Sequence, residues 1–228
     1  LALVREDYVS RIHGIIDANE KLSSIKIIEC EKDLNSFSSE SGDLKEPQFD
    51  SEIDALIVFT SGTTGNPKGV VLSQRNLLED ARAISEWHYN TSETRMMCVL
   101  PIHHVNGTVV TLLTPFFAGG SVVNEKFQVD QFFPIIKEEK VEIVSVVPTL
   151  LQYLTSYYRD KRSYELENFS HIICGAGPLT VNVAKNFEER FGKRIIHGYG
   201  LSETTCYSCF LPLAINDKIH NKWMQDFG

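Results

Sequence analysis

Thr60-Ser61-Gly62-Thr63-Thr64-Gly65-Asn66-Pro67-Lys68-Gly69 follows directly on the apolar run 55–59. Its three glycines let the backbone turn tightly and approach a ligand without side-chain interference. Four hydroxyls, on Thr60, Ser61, Thr63 and Thr64, and the ammonium of Lys68 supply donors and positive charge, while bare backbone amides can point at phosphate oxygens. The stretch is not a standard P-loop, which needs GxxxxGK followed by Ser or Thr; here Pro67 intervenes and Gly69 follows the lysine. On the residues alone two readings stand: a phosphate cradle, or glycines present only for turn geometry.

Beyond this loop, short apolar runs alternate with longer segments of helical periodicity. Strands are expected at 55–59, 95–100, 120–124, 143–147, 172–174 and 194–197, and helices at 74–88, 106–117, 129–139, 149–154 and 181–191. Pro101 and Pro148 stop the strands before them, and Thr149 caps or opens the next helix. Uncharged β-branched strands separated by amphipathic helices fit a mostly parallel sheet covered on both faces. The expected fold class is therefore α/β, a mostly parallel sheet layered with helices. Upstream, 24–30 holds a strand-type run, and 32–52 is rich in Ser, Asp, Glu and Gly and reads as a surface connection. The expected organisation is an N-terminal segment and connection over 1–53, part of the same large domain, then a core over 54–212 and the start of a continuation over 213–228.

The 228 residues are 43% hydrophobic, enough for a sizeable core and too apolar for a disordered chain. Twenty-two basic against 30 acidic residues leave a formal charge of -8, which disfavours a broad grip on nucleic acid or anionic lipid. That balance leaves room for a local anion site built from one loop and one lysine. Of the five cysteines, four fall within or beside apolar runs as small hydrophobes. Cys206 and Cys209 have a metal-like spacing but no second cysteine pair beside them. The odd count, without disulfide-dense spacing, favours a reducing compartment, and the chain is expected in the cytoplasm. No 18-residue uncharged apolar stretch and no signal peptide is present, so stable membrane insertion is not expected. The first residue is leucine, and a targeting segment upstream of it stays open.

Four further blocks follow the loop in order: Leu100-Pro101-Ile102-His103-His104-Val105-Asn106-Gly107, Val147-Pro148-Thr149, Gly175-Ala176-Gly177-Pro178-Leu179, and Gly198-Tyr199-Gly200-Leu201-Ser202-Glu203-Thr204-Thr205. Together with 59–70 they resemble the signature segments of the adenylate-forming superfamily, which includes acyl- and aryl-CoA ligases, luciferases and peptide adenylation domains. The resemblance covers most of 54–212 and implies a partial N-terminal domain of such an enzyme. It implies ATP, Mg2+ and CoA, with activation of a carboxylic acid to an acyl-adenylate and then thioester formation. A carrier protein in place of CoA, or a noncatalytic nucleotide-binding module, are the alternatives.

The resemblance also implies roles. Thr60, Ser61, Gly62, Thr63, Thr64, Gly65 and Lys68 would wrap the β- and γ-phosphates, and Thr204 would bind the α-phosphate. Glu203 would ligate magnesium, with Thr60 assisting; a single carboxylate plus phosphate oxygens suits that ion. Gly175, Ala176, Gly177, Tyr199 and Gly200 would surround adenine, unless the glycines serve only turns and Tyr199 only packing. His104 would stand where the carboxylate meets the α-phosphate, making His104, Lys68 and Glu203 the catalytic set. His103, Val105, Asn106, Val147 and Leu150 would line the acid pocket, although Asn106 reads equally well as a helix cap. The stretch 101–107 contains no acid, which disfavours a free amino acid and favours an uncharged acyl or aryl tail. Ribose-binding, hinge and second-domain segments implied by the family are absent from the 228 residues, so the chain alone is expected not to turn over.

Overall fold

The computed structural model describes residues 2–4, 6–24, 27–29, 50–61, 65–158 and 166–225. The chain divides into two compact units, 1–49 and 50–228. In the first, β1 (Ala2–Val4) and β2 (Ile27–Glu29) pair in parallel. A parallel pair needs a crossover, and α1 (Glu6–Asp17) supplies it. The sequence reading anticipated β2 but not α1. Most of the expected surface connection lies outside the described residues.

The second unit opens with a hairpin. β3 (Asp54–Thr60) pairs antiparallel with β4 (Lys68–Ser73), with Thr60 opposite Lys68, as a separate two-stranded sheet. This corrects the expectation that the first apolar run joins the parallel sheet and passes through the loop straight to a helix. Val70, Val71 and Leu72 form an apolar run, two of the three β-branched, immediately after the loop, and it folds back on Val58, Ile57 and Leu56. Ser73 ends β4 and caps α2 (Gln74–Trp87): its hydroxyl accepts from the Asn76 N–H while the Asn76 side chain accepts from the Ser73 N–H. Ala81, Ile84 and Ser85 form the buried stripe of α2.

The main sheet has six strands: β5 (Arg95–Cys98), β6 (Ser121–Asn124), β7 (Ile143–Val146), β8 (His171–Cys174), β9 (Arg194–Tyr199) and β10 (Cys209–Phe210). Their order is β10-β9-β8-β7-β5-β6, parallel throughout except for β10, which runs antiparallel to β9. Every residue of β7 and β8 is buried, as a sheet covered on both faces demands. Alternate side chains feed opposite layers. Met97, Val144 and Ile172 pack with Phe132, Leu151, Leu154 and Phe187, whereas Met96, Ile143 and Ile173 pack with Ile84, Val109 and Val110.

The covering helices are α3 (Thr114–Phe117), α4 (Phe132–Glu138), α5 (Pro148–Tyr157), α6 (Val181–Phe191) and α7 (Asp217–Gln225). The helix expected over 106–117 is π-helical from Asn106 to Leu113 before it becomes α3. Thr111 and Thr114 donate their hydroxyls to the carbonyls of Gly107 and Val109 inside that stretch, and the Thr114 N–H also reaches Val109. The helix expected over 129–139 starts only at Phe132, because the Asp130 carbonyl turns to accept the Tyr158 hydroxyl at 2.9 Å. α5 runs longer than expected and starts on Pro148, whose missing N–H costs nothing in the first turn. Among the described residues no helix is long and apolar enough to cross a membrane.

One buried polar pair ties α2 to the sheet. His88, at the C-cap of α2, places Nδ1 2.9 Å from Nε2 of His171 at the start of β8, and Ser170 Oγ lies 3.0 Å from His171 Nδ1. Both rings are almost fully buried. Desolvation, helped by the neighbouring imidazole, pushes His88 down to about 3, and desolvation pushes His171 down to about 4. Unfolded histidines take up protons near pH 6.5, so acidification from pH 7 towards 4 favours unfolding by about 1.4 kcal/mol per pH unit for each ring. Asp80 acts in the opposite sense. Burial raises it to about 6, so below that pH the folded chain takes up its proton first and is favoured. Two histidines outweigh one carboxyl, and the urea midpoint should fall between pH 7 and pH 4.5. His88→Gln should flatten that limb; a variant with the wild-type slope would contradict the assignment.

Candidate functional site

Parallel strands deliver the loops that follow them to one edge of the sheet, and the crevice there opens where successive connections diverge. In this sheet the divergence lies between β5 and β7, since β6 lies on one side of β5 and β7, β8 and β9 on the other. A cavity of about 940 Å³ sits at that edge. Its wall combines Leu100, Pro101, His104, Val105 and Asn106 after β5, Val147 after β7, Ala176 after β8, and Gly200, Leu201, Ser202, Glu203, Cys206 and Tyr207 after β9. Thr60, Ser61 and Lys68 of the hairpin complete it. All five sequence blocks quoted above, the glycine-rich loop among them, contribute at least one residue to this single space.

Each part has a local cause. Thr60 and Lys68 are the paired last and first residues of β3 and β4, so the hairpin register alone brings hydroxyl and ammonium together. Gly65 has φ +84°, a left-handed conformation that a side chain would strain. Gly62, Thr63 and Thr64 lie outside the described residues. His104 is held by a tight turn in which its N–H donates to the Pro101 carbonyl at 3.1 Å. A Cβ on Gly107 would strike that same carbonyl, so the turn needs glycine there. His103 is exposed, with its ring centroid 4.7 Å from that of His104, and does not belong to the cavity wall.

Glu203 occupies a single 3-10 turn, Ser202–Thr204. The Thr204 hydroxyl accepts from the Leu201 N–H at 3.0 Å and donates to the Leu201 carbonyl at 3.1 Å, closing the turn. Thr204 therefore spends its hydroxyl on the loop and is not in the wall. Thr205 follows with φ 72° and ψ -62°, and the Cys206 N–H donates to the Thr204 carbonyl across it. That is a γ-turn of the rare, strained hand. Among the described residues, neither Lys68 nor Glu203 has a hydrogen-bond or ion-pair partner.

The expected adenine group is split. Ala176 and Gly200 line the cavity, whereas Gly175, Gly177 and Tyr199 do not. Gly175 is buried, and a Cβ there would run into the Tyr207 phenol, so its lack of a side chain answers to packing. Tyr199 is 61% exposed at the end of β9. Of the expected acid-pocket residues, Val105, Asn106 and Val147 are in the wall, while Leu150 packs against the main core instead. Asn106 makes no cap. Its Nδ2 donates to the Tyr207 hydroxyl at 2.9 Å and its Oδ1 accepts from Ser145 Oγ at 2.7 Å. Sequence reasoning missed Tyr207, which reads as one more aromatic in an apolar run. Burial raises the pKa of the Tyr207 phenol and the Cys206 thiol.

The family model for AMP-binding enzymes matches residues 3–224. The chain belongs to the AMP-binding enzyme family. Among family relatives it is 34% identical over 171 residues to a sulfoacetate–CoA ligase of Cupriavidus necator, covering 75% of this chain and 33% of that one. It is 31% identical to the peroxisomal OPC-8:0-CoA ligase 1 of Arabidopsis thaliana, covering 72% and 31%. The fold is that of the N-terminal domain of FACL13 from Mycobacterium tuberculosis, with TM-score 0.80 at 20% identity over 92% of this chain and 52% of that one. ATP-bound MatB from Rhodopseudomonas palustris aligns with TM-score 0.78 at 22% identity, over 94% and 42%. The chain thus spans about a third of the length of the curated relatives it matches.

Two glycines of one block separate packing from ligand approach. Gly175→Ala should destabilise the chain by about 1–3 kcal/mol through the collision with Tyr207. Gly177→Ala, whose added carbon meets only Pro148 at 3.5 Å, should cost less than about 1 kcal/mol. Urea unfolding of both variants checks this; equal losses would contradict the assignment.

Proposed function

We propose that this chain forms the nucleotide- and acid-binding core of an ATP-dependent acid:CoA ligase. The observation that carries the proposal is the meeting of Lys68, His104 and Glu203 on one cavity at the carboxyl edge of a parallel sheet. In the reaction, a carboxylate oxygen of the acid bonds to the α-phosphorus of ATP and the bond to pyrophosphate breaks. A thiol sulfur then bonds to the acyl carbon and AMP leaves. The barrier of the first step is the approach of two anions and the charge that grows on the phosphoryl oxygens, so preorganised donors are the main requirement.

In this reading Lys68 and the hydroxyls of Thr60 and Ser61 hold the β- and γ-phosphates, and His104 donates a hydrogen bond where the carboxylate meets the α-phosphate. Ala176 and Gly200 border the space for adenine. Glu203 fits Mg2+: it lines the same cavity as Thr60, and its carboxylate has no partner among the described residues. One carboxylate, one hydroxyl and phosphate oxygens form the sparse ligand set this ion accepts, and the ion supplies charge neutralisation when bound. Among the described residues the cavity wall has no second carboxylate to hold a substrate ammonium, and Val105, Val147, Leu100 and Leu201 offer apolar contact. That supports a hydrophobic or aromatic acid over a free amino acid. The names of the relatives, both CoA ligases, support CoA as the acceptor over a carrier protein. The buried Cys98, Cys174 and Cys206, all free thiols, suit the reducing cytoplasm.

Acid-dependent exchange of pyrophosphate into ATP by the full-length protein tests the reading. His104→Ala should lower the exchange rate by about 10²–10³ while changing ATP affinity far less. Lys68→Ala combined with Glu203→Ala should weaken Mg-ATP binding measured by calorimetry. Unchanged ATP affinity in the double variant, or exchange that answers only to free amino acids, would overturn it.

A further inference from the structure

The cavity wall contains one bulky side chain whose position is fixed from several sides. Tyr207 is 8% exposed and borders the cavity beside Asn106. Its hydroxyl accepts from Asn106 Nδ2 at 2.9 Å, and Ser145 Oγ donates to Asn106 Oδ1 at 2.7 Å. The donors run one way along a buried chain: Ser145 to Asn106, and Asn106 to the Tyr207 phenol. Each member satisfies the next, which makes a buried polar network favourable rather than costly.

The ring of Tyr207 is pinned as well. Gly175 and Gly198 each stand one residue beyond the paired Cys174 and His197, side by side on β8 and β9. A Cβ at Gly175 would collide with the phenol, and one at Gly198 would come within 2.6 Å of Tyr207 Cε1. Phe210 closes the far side, with ring centroids 4.5 Å apart. Two adjacent glycines at the end of a parallel sheet make a slot, and the tyrosine ring fills it. A side chain held in this way does not swing aside for a ligand without breaking its hydrogen bond to Asn106 and vacating the slot.

We propose that Tyr207 is a specificity-determining residue: a fixed wall that ends the acid-binding part of the cavity at the Gly175–Gly198 slot and so selects carboxylic acids with short or compact tails. The inference rests on the ligase reading above and narrows its substrate class. Without the ring, the slot floored by the two glycines would extend the cavity and admit a longer tail. Because one methylene in an apolar pocket is worth about 10–200-fold in specificity, removing the wall should reorder a homologous series visibly.

The test is pyrophosphate release by the full-length protein with ATP, Mg2+ and straight-chain acids of increasing length, giving kcat/KM for each. Wild type should favour the short acids. Tyr207→Ala should raise the ratio of long-acid to short-acid kcat/KM by at least about tenfold. Tyr207→Phe, which keeps the wall and loses the hydroxyl, should retain the wild-type order of acids. Should the alanine variant melt or lose ATP binding, Tyr207→Leu, which still packs on Phe210 but leaves part of the slot open, should shift the ratio in the same direction. A wild type that favours long tails, or folded Ala and Leu variants with the wild-type order, would overturn the inference alone. A wild type that releases no pyrophosphate with any acid would overturn the ligase reading, and this inference with it.

Discussion

Parallel pairing of β5, β7, β8 and β9 is the constraint on which the site depends. Because the strands run the same way, the segments that follow Cys98, Val146, Cys174 and Tyr199 all emerge at one edge. Residues far apart in sequence, such as His104 and Glu203, meet there without any direct bond between them. Burial of both faces supplies the energy for this arrangement: Ile172 and Ile173 are each fully buried in opposite layers. At about 25 cal/mol per Å² of apolar surface, such residues dominate the stabilising side, and the loops at the edge are freed for chemistry.

Those loops carry polar groups into a core that penalises them, and the molecule answers in two ways. Ser145, wholly buried in β7, donates to Asn106 Oδ1, and Asn106 Nδ2 in turn donates to the Tyr207 hydroxyl. His88 and His171 are kept neutral and share one contact, leaving His88 Nε2 buried without a partner. A neutral imidazole whose Nδ1 carries the proton presents only a lone pair at that atom, the less costly group to strand. The first solution sits at the cavity wall and fixes a shape. The second sits at the opposite end of β8 and makes the fold sensitive to acid.

The legible parts of the sequence were those in which the pattern is local. β7 and β8 read as strands because doubly covered parallel strands are continuous apolar runs, and α6 because Ala184 and Phe187 repeat at helical spacing. β4 was not legible as a strand. Its Val70-Val71-Leu72 is short, lies in the shadow of the glycine-rich loop, and has a pairing partner that only folding specifies. Leu150 was assigned to the acid pocket although it packs on the core; a step of one residue turns a helix by about 100°, and the entry angle of α5 is not written in its spacing. Lys68, His104 and Glu203 stood out because their motifs are contiguous. Tyr207 did not, because its place depends on Gly175 and Gly198 becoming neighbours across two strands.

The backbone departs from ordinary geometry where these loops cross. Among the described residues, Ala176 and Thr205 are two of the four non-glycine residues with positive φ, and both belong to loops of the cavity. Gly200 explains the second: the Cys206 carbonyl passes where a Cβ of residue 200 would stand. The chain must therefore double back within a few residues, and it does so through the Thr204 hydroxyl and the γ-turn at Thr205. A γ-turn of this hand is strained, and a buried β-branched residue in it is more so. The strain is sustained because Tyr207, immediately after it, is anchored to the π-helix through Asn106 and seated against Gly175, Gly198 and Phe210. Among the described residues Glu203 has no side-chain partner, so backbone geometry rather than a side-chain contact brings it to the cavity wall.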